Sequence, residues 1–122
     1  MAGDGALTAD GAANMAVATL TDDEKDAGVV YVSAGVVASG EELFAGRDRI
    51  DVHATSYVVF VDLEPRANWS HACLFLLVGP DGDVTRVEAR FPPSRADLRL
   101  VSRGAGVEDW MLLTERAISD SG

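Results

Sequence analysis

"HACLFLLVGPDGDVTRVEARF", residues 71–91, is the stretch whose reading decides the fold. Residues 71–78 are apolar on both faces. Periodicity by itself allows either a strand covered on both sides or a short buried helix. The turn decides for a strand. In "GPDGD", residues 79–83, Pro80 presets φ and Gly82 accepts a positive φ, which is hairpin chemistry. The returning segment alternates. Thr85, Val87, Ala89 and Phe91 are expected to face inward, while Arg86, Glu88 and Arg90 form an outward ladder of mixed sign. Pro92 and Pro93 close it, since proline cannot donate to a ladder.

Working upstream, "RIDVHATSYVVFVDLEP", residues 49–65, is a long β signal that becomes continuously apolar over Tyr57 to Val61 and is closed by Pro65. Pairing residues 57–64 with 72–79 across a connecting loop extends the hairpin by one strand. "VVYVSAGVV", residues 29–37, is β-branched and aromatic and reads as another strand. "SGEELFAG", which follows, suits a short helical turn or a loop. Over residues 11–20, Ala12, Met15, Ala16 and Leu20 recur at helical spacing, with Asp10 as the expected cap. "TDDEKDAG", residues 21–28, reads as a solvated charge run that ends the helix at Gly28. Residues 1–10 are small, acidic and expected to fray.

Working downstream, residues 94–104 support two readings. Ser94, Asp97 and Gly104 suit the caps and first turn of a short helix. Leu98 and Leu100 at period two suit a strand. Residues 106–119 fit an amphipathic helix with acids near its start and Arg116 near its end. Trp110, Leu113, Thr114 and Ala117 would share one face of it. The expectation is a single α+β domain. A mainly antiparallel sheet of about four strands spans residues 29–91, and helices from the N- and C-terminal ends pack on it. A β-sandwich is the alternative. Residues 1–28 form an acidic, partly flexible segment containing a helix, and residues 29–122 form the domain.

Composition bounds the function. The 122 residues are 48% hydrophobic and the mean hydropathy is +0.10, enough for one core. The formal charge is -10 and the pI about 4.4. Such a chain repels phosphate backbones and anionic membranes, so neither nucleic acid nor a membrane is an expected partner. One lysine against nine arginines, amid many Ala, Val, Gly and Asp residues, points to a GC-rich genome. No apolar run approaches the ~20 residues of a membrane span. The N-terminus lacks the basic start of a signal peptide. Cys73 is the only cysteine, which favours a reducing compartment, so the protein is placed in a cytoplasm. The glycosylation sequon Asn68-Trp69-Ser70 carries no weight without secretion.

The chemistry is sparse. Ser70 and His71 are neighbours, so on a strand they point to opposite faces and cannot form a nucleophile–base pair. His71 and Cys73 share a face and offer a Cys–His dyad or two zinc ligands, weighed against a buried thiol and a strand-entry histidine. Asp51 and His53 are spaced like a carboxylate orienting an imidazole. Asp62, Glu64, Asp81 and Asp83 offer oxygens to calcium, although "DGD" falls short of an EF-hand loop. There is no Walker loop, no G-x-G-x-x-G, no H-E-x-x-H and no G-x-S-x-G. For binding, a helix over residues 95–103 would align Arg95, Arg99 and Arg103 as a basic stripe, facing a partner or this chain's own acidic N-terminus. Trp69 is the candidate loop anchor. The reading favours a non-catalytic binding or protein-interaction module without a cofactor, recognising a protein or assembling with itself. The alternatives are a small Cys/His-dependent enzyme or metal protein, and an immunity- or inhibitor-type protein with a basic partner.

Overall fold

In a computed structural model, residues 7–65, 71–94 and 97–112 are described. Among them, helices α1 (Ala9–Val17) and α2 (Asp22–Ala27) precede the strands β1 (Val29–Val37), β2 (Phe44–Ala45), β3 (Asp48–Arg49), β4 (Ser56–Asp62), β5 (Cys73–Val78), β6 (Val84–Ala89) and β7 (Leu98–Arg103). Five of these strands form one antiparallel sheet in the order β6-β5-β4-β1-β7, and β2 pairs with β3 in a separate small hairpin. The expected α+β domain with a mainly antiparallel sheet is the one observed.

Both faces of the sheet are covered, which is why β4 and β5 read as unbroken apolar runs. On one face α1 lays Ala12, Ala13 and Ala16, with Leu20 just beyond it, over Val30, Val32, Val59, Val61, Leu74 and Leu76. The alanines let the helix axis sit close to the sheet. On the other face Tyr31, Phe60 and Phe75 pack under Leu43, Ile50, Val52 and Leu112. The cover here is the segment of residues 38–55, with its small β2–β3 hairpin, and the end of the described chain.

Several details differ from the expectation, each for a local reason. The N-cap of α1 is Thr8, whose hydroxyl accepts from the Gly11 N–H at 3.0 Å, and Asp10 lies in the first turn. Met15 is 41% exposed, and Ala13 takes the buried position instead. The charge run over residues 21–28 is helical, because Thr21 and Glu24 form a reciprocal capping box. Residues 39–49 hold the small hairpin, with Gly46 at φ 65 in its turn. The long β signal enters the sheet only at Ser56, and Ile50 and Val52 are buried from an irregular segment. In β6, Thr85 is exposed while Val87 and Ala89 pack inward as expected. The sheet extends past residue 91, because residues 98–103 form a strand on the far side of β1. Residues 106–112 are not α-helical and hold only a 3-10 turn at Asp109–Met111. The rest of the helix expected over residues 106–119 lies outside the described residues.

A bulge in β1 between Val32 and Val36 breaks its register with β4. The buried Ser33 hydroxyl repairs the ladder. It accepts from the Val58 N–H at 3.0 Å and donates to the Gly35 carbonyl at 2.7 Å. Ser33→Ala therefore strands a buried N–H, and the expected loss is about 1–3 kcal/mol in urea unfolding. A cost of only a few tenths would mean that the bulge closes without the hydroxyl.

Candidate functional site

The polar centre of the molecule lies where β4 ends and β5 begins. Asp62 is the last residue of β4 and stands directly opposite Cys73, the first residue of β5. Directly opposed residues share a face. His71, two residues before Cys73, faces the same way, and its Nε2 lies 2.7 Å from Asp62 Oδ1. The pair is buried, with Asp62 1% and His71 5% exposed. The two side chains share one buried hydrogen bond through Nε2 and Oδ1.

Asp62 Oδ1 also accepts from the Glu64 N–H at 3.1 Å. Glu64 in turn accepts from the Ala72 N–H at 3.2 Å through its Oε2. Two carboxyl groups thus clamp the two ends of the connection between β4 and β5. Asp62 Oδ2 is buried and has no hydrogen-bond partner among the described residues.

Cys73 lies beside this pair, its Sγ 3.5 Å from the Phe91 carbonyl. Burial, and then the neighbouring Asp62 carboxyl, push its thiol pKa up to about 12, against a weaker pull from Arg90. A thiol held protonated is a poor nucleophile and a poor metal ligand. The geometry gives His71 and Cys73 a shared face, and it couples His71 to Asp62.

The other candidates are dispersed. Asp51 and His53 line a hollow of about 280 Å³ with Ser56, Asp81 and Asp83. It sits at the end of the sheet where Tyr57 faces Val78, away from the end where Asp62 faces Cys73. The two histidines are therefore separated along the length of β4. Asp62 and Glu64 likewise do not converge with Asp81 and Asp83 as a calcium set. Among the described residues no group of three or more His, Cys, Asp or Glu side chains is placed to hold a metal ion. No helix among them is long and apolar enough to cross a membrane.

The arginine stripe does not form as one face. Arg99 stands opposite Val32 and Arg103 opposite Val29, residues on opposite faces of β1. A bulge in β7, marked by the register shift between Val30 and Tyr31, puts the two arginines, four positions apart, on opposite faces of the strand. Arg99 bonds Asp10 of α1 at 2.7 Å, so part of the stripe meets this chain's own N-terminal segment. Arg95, Trp69 and Ser70 lie outside the described residues.

Sequence reasoning missed the Asp62–His71 pair. Its signal was available in the pairing register: the expected pairing of 57–64 with 72–79 is one residue away from the observed one, in which Tyr57 faces Val78. Comparison of the chain with protein-family models, with curated proteins and with solved structures gives no match.

Proposed function

We propose that the chain is a small, acidic, non-catalytic interaction module of the cytoplasm that recognises a protein or a second copy of itself. The observation that supports this most directly is the condition of its reactive groups. The Cys73 thiol is buried with its pKa raised to about 12, and His71 is buried against Asp62. Both serve the sheet's interior, which weighs against the Cys/His-dependent enzyme. The surface instead offers exposed anchors, Trp110 at 56% and Val36 at 44%.

Native mass spectrometry of protein purified gently from its host tests this reading. The bare chain mass, an integer multiple of it, or a complex with a second protein is the expected result. A constant addition of one metal or small molecule, lost in the double variant His71→Ala and Cys73→Ala, would overturn it.

A second reading, an inhibitor-type protein with a basic partner, is favoured by the hollow that Asp51, Asp81 and Asp83 line. It predicts an association rate that falls steeply with salt.

A further inference from the structure

We infer that β6 is a self-association edge, on which a second copy of this chain adds its own β6 antiparallel about a two-fold axis at Val87. This rests on the interaction-module reading and names the partner as the chain itself. Among the described residues β6 forms one border of the sheet and β7 the other. Border strands present a row of outward N–H and C=O groups, and proteins commonly blunt them with a bulge, a proline or charge of one sign. β7 carries a bulge, and its two charges, Arg99 and Arg103, have the same sign. β6 pairs with β5 through six residues without a register shift, contains no proline, and carries Arg86 and Glu88, of opposite sign.

The ladder fixes which backbone groups of β6 point outward. The Gly79 N–H donates to the Asp83 carbonyl at 2.9 Å. Hydrogen-bonded pairs alternate along an antiparallel ladder, so Thr85, Val87 and Ala89 exchange bonds with β5. Val84, Arg86 and Glu88 turn theirs away from it. Phe91 agrees with this phase, since its carbonyl faces Cys73 of β5.

A two-fold axis admits few registers that join outward groups to outward groups. Centred on Arg86, the pairing opposes two arginines. Centred on Glu88, it opposes two glutamates. Centred on Val87, it sets Arg86 opposite Glu88 of the second copy, and Glu88 opposite its Arg86, each through outward backbone groups. Val87 then meets Val87 on the other face, with Thr85 opposite Ala89. Of the two registers that overlap five of the six β6 residues, centred on Arg86 and on Val87, only the latter satisfies backbone and charge together. Arg86 already bonds Glu24 through two nitrogens but remains 41% exposed, and a guanidinium has five donors. Glu88 is exposed.

The test is sedimentation velocity on the full chain from about 10 µM to about 1 mM, the range suited to a small interface. The wild type is expected to show a monomer–dimer equilibrium. Glu88→Arg and Arg86→Glu each place like charges opposite one another and should weaken the dimer at least about tenfold. Mixed in equal amounts they should associate again, because each then meets its complement. Glu88→Pro removes an outward N–H without touching the β5 ladder, and should leave a folded monomer by circular dichroism. It decides the matter if Arg86→Glu disturbs the fold through Glu24. A wild type that stays monomeric throughout, a dimer indifferent to Glu88→Arg and Glu88→Pro, or two folded charge variants that fail to associate when mixed overturns the β6 pairing. None of these results touches the interaction reading, which allows an unrelated partner and fails by its own native-mass test.

Discussion

Replacing His71 with alanine is expected to destabilise the fold by about 1–3 kcal/mol, the range for leaving a buried polar group without its partner. Asp62 is 1% exposed and His71 5%, so the hydrogen bond between them is shielded from water. The carboxyl already has one buried oxygen without a partner among the described residues. The substitution takes away its only side-chain partner among the described residues and leaves the Glu64 N–H at 3.1 Å. The double variant with Asp62→Ala should lose less than the two single losses added together, since each single change strands the other group. Urea unfolding of the four proteins in this cycle measures the coupling. Additive losses would mean that the two side chains do not depend on one another, and the clamp between β4 and β5 would have to reside elsewhere.

Phe60→Ala is expected to cost about 3–5 kcal/mol, through a different mechanism. Phe60 is fully buried at the centre of β4. The register places Tyr31 directly opposite it on β1 and Phe75 directly opposite it on β5. Its ring meets Phe75 edge-on, with centroids 5.5 Å apart and planes at 78°, and lies 6.0 Å from Tyr31. Three aromatic rings therefore cross the three central strands in one row. Removing the middle ring opens a void that backbone pairing on both sides prevents from collapsing. Phe60→Leu should recover much of the loss by refilling that volume. If thermal and urea unfolding of Phe60→Ala fall within about 1 kcal/mol of wild type, the row does not organise the core.

The hairpin of β5 and β6 was readable because three independent signals coincide there: an apolar run, turn residues and clean alternation. The strands of residues 29–37 and 57–62 were readable from β-branched and aromatic density. The border strand β7 was readable only as one of two options, because Ser94, Asp97 and Gly104 mimic helix caps while Leu98 and Leu100 keep a period of two. Asp97 in fact accepts from the Gly35 N–H at 3.1 Å, and Gly104 donates to the Gly28 carbonyl. Those are tertiary roles that leave no local trace. The charge run over residues 21–28 hid a helix because acidic composition resembles a loop, while its capping box depends on the three-residue spacing of Thr21 and Glu24. At the site, His71 and Cys73 could be placed on one face by counting. The identity of the histidine's partner depended on a register that the sequence left one residue uncertain.

Helix α2 has a consequence for motion. It buries no residue and six residues are too few for a helix to persist unsupported. It is held at one end by Glu24 on Arg86 and at the other by the Gly28–Gly104 backbone bond, where a side chain at residue 104 would strike the Asp26 carbonyl. Its amide hydrogens should therefore exchange with solvent through a local opening, while those of β4 and β5 await global unfolding. The Arg86 guanidinium, and then the Thr21 N–H, hold the Glu24 carboxyl below its ordinary value of 4.5. A lowered folded value gives support that is complete above the unfolded one and fades as acid protonates the folded form. Protection of α2, corrected for the intrinsic exchange rate, should thus hold steady near neutrality and decline below about pH 4.5, ahead of the sheet. The protein would then shed its second helix first, as a separate unit, with the rest of the fold intact.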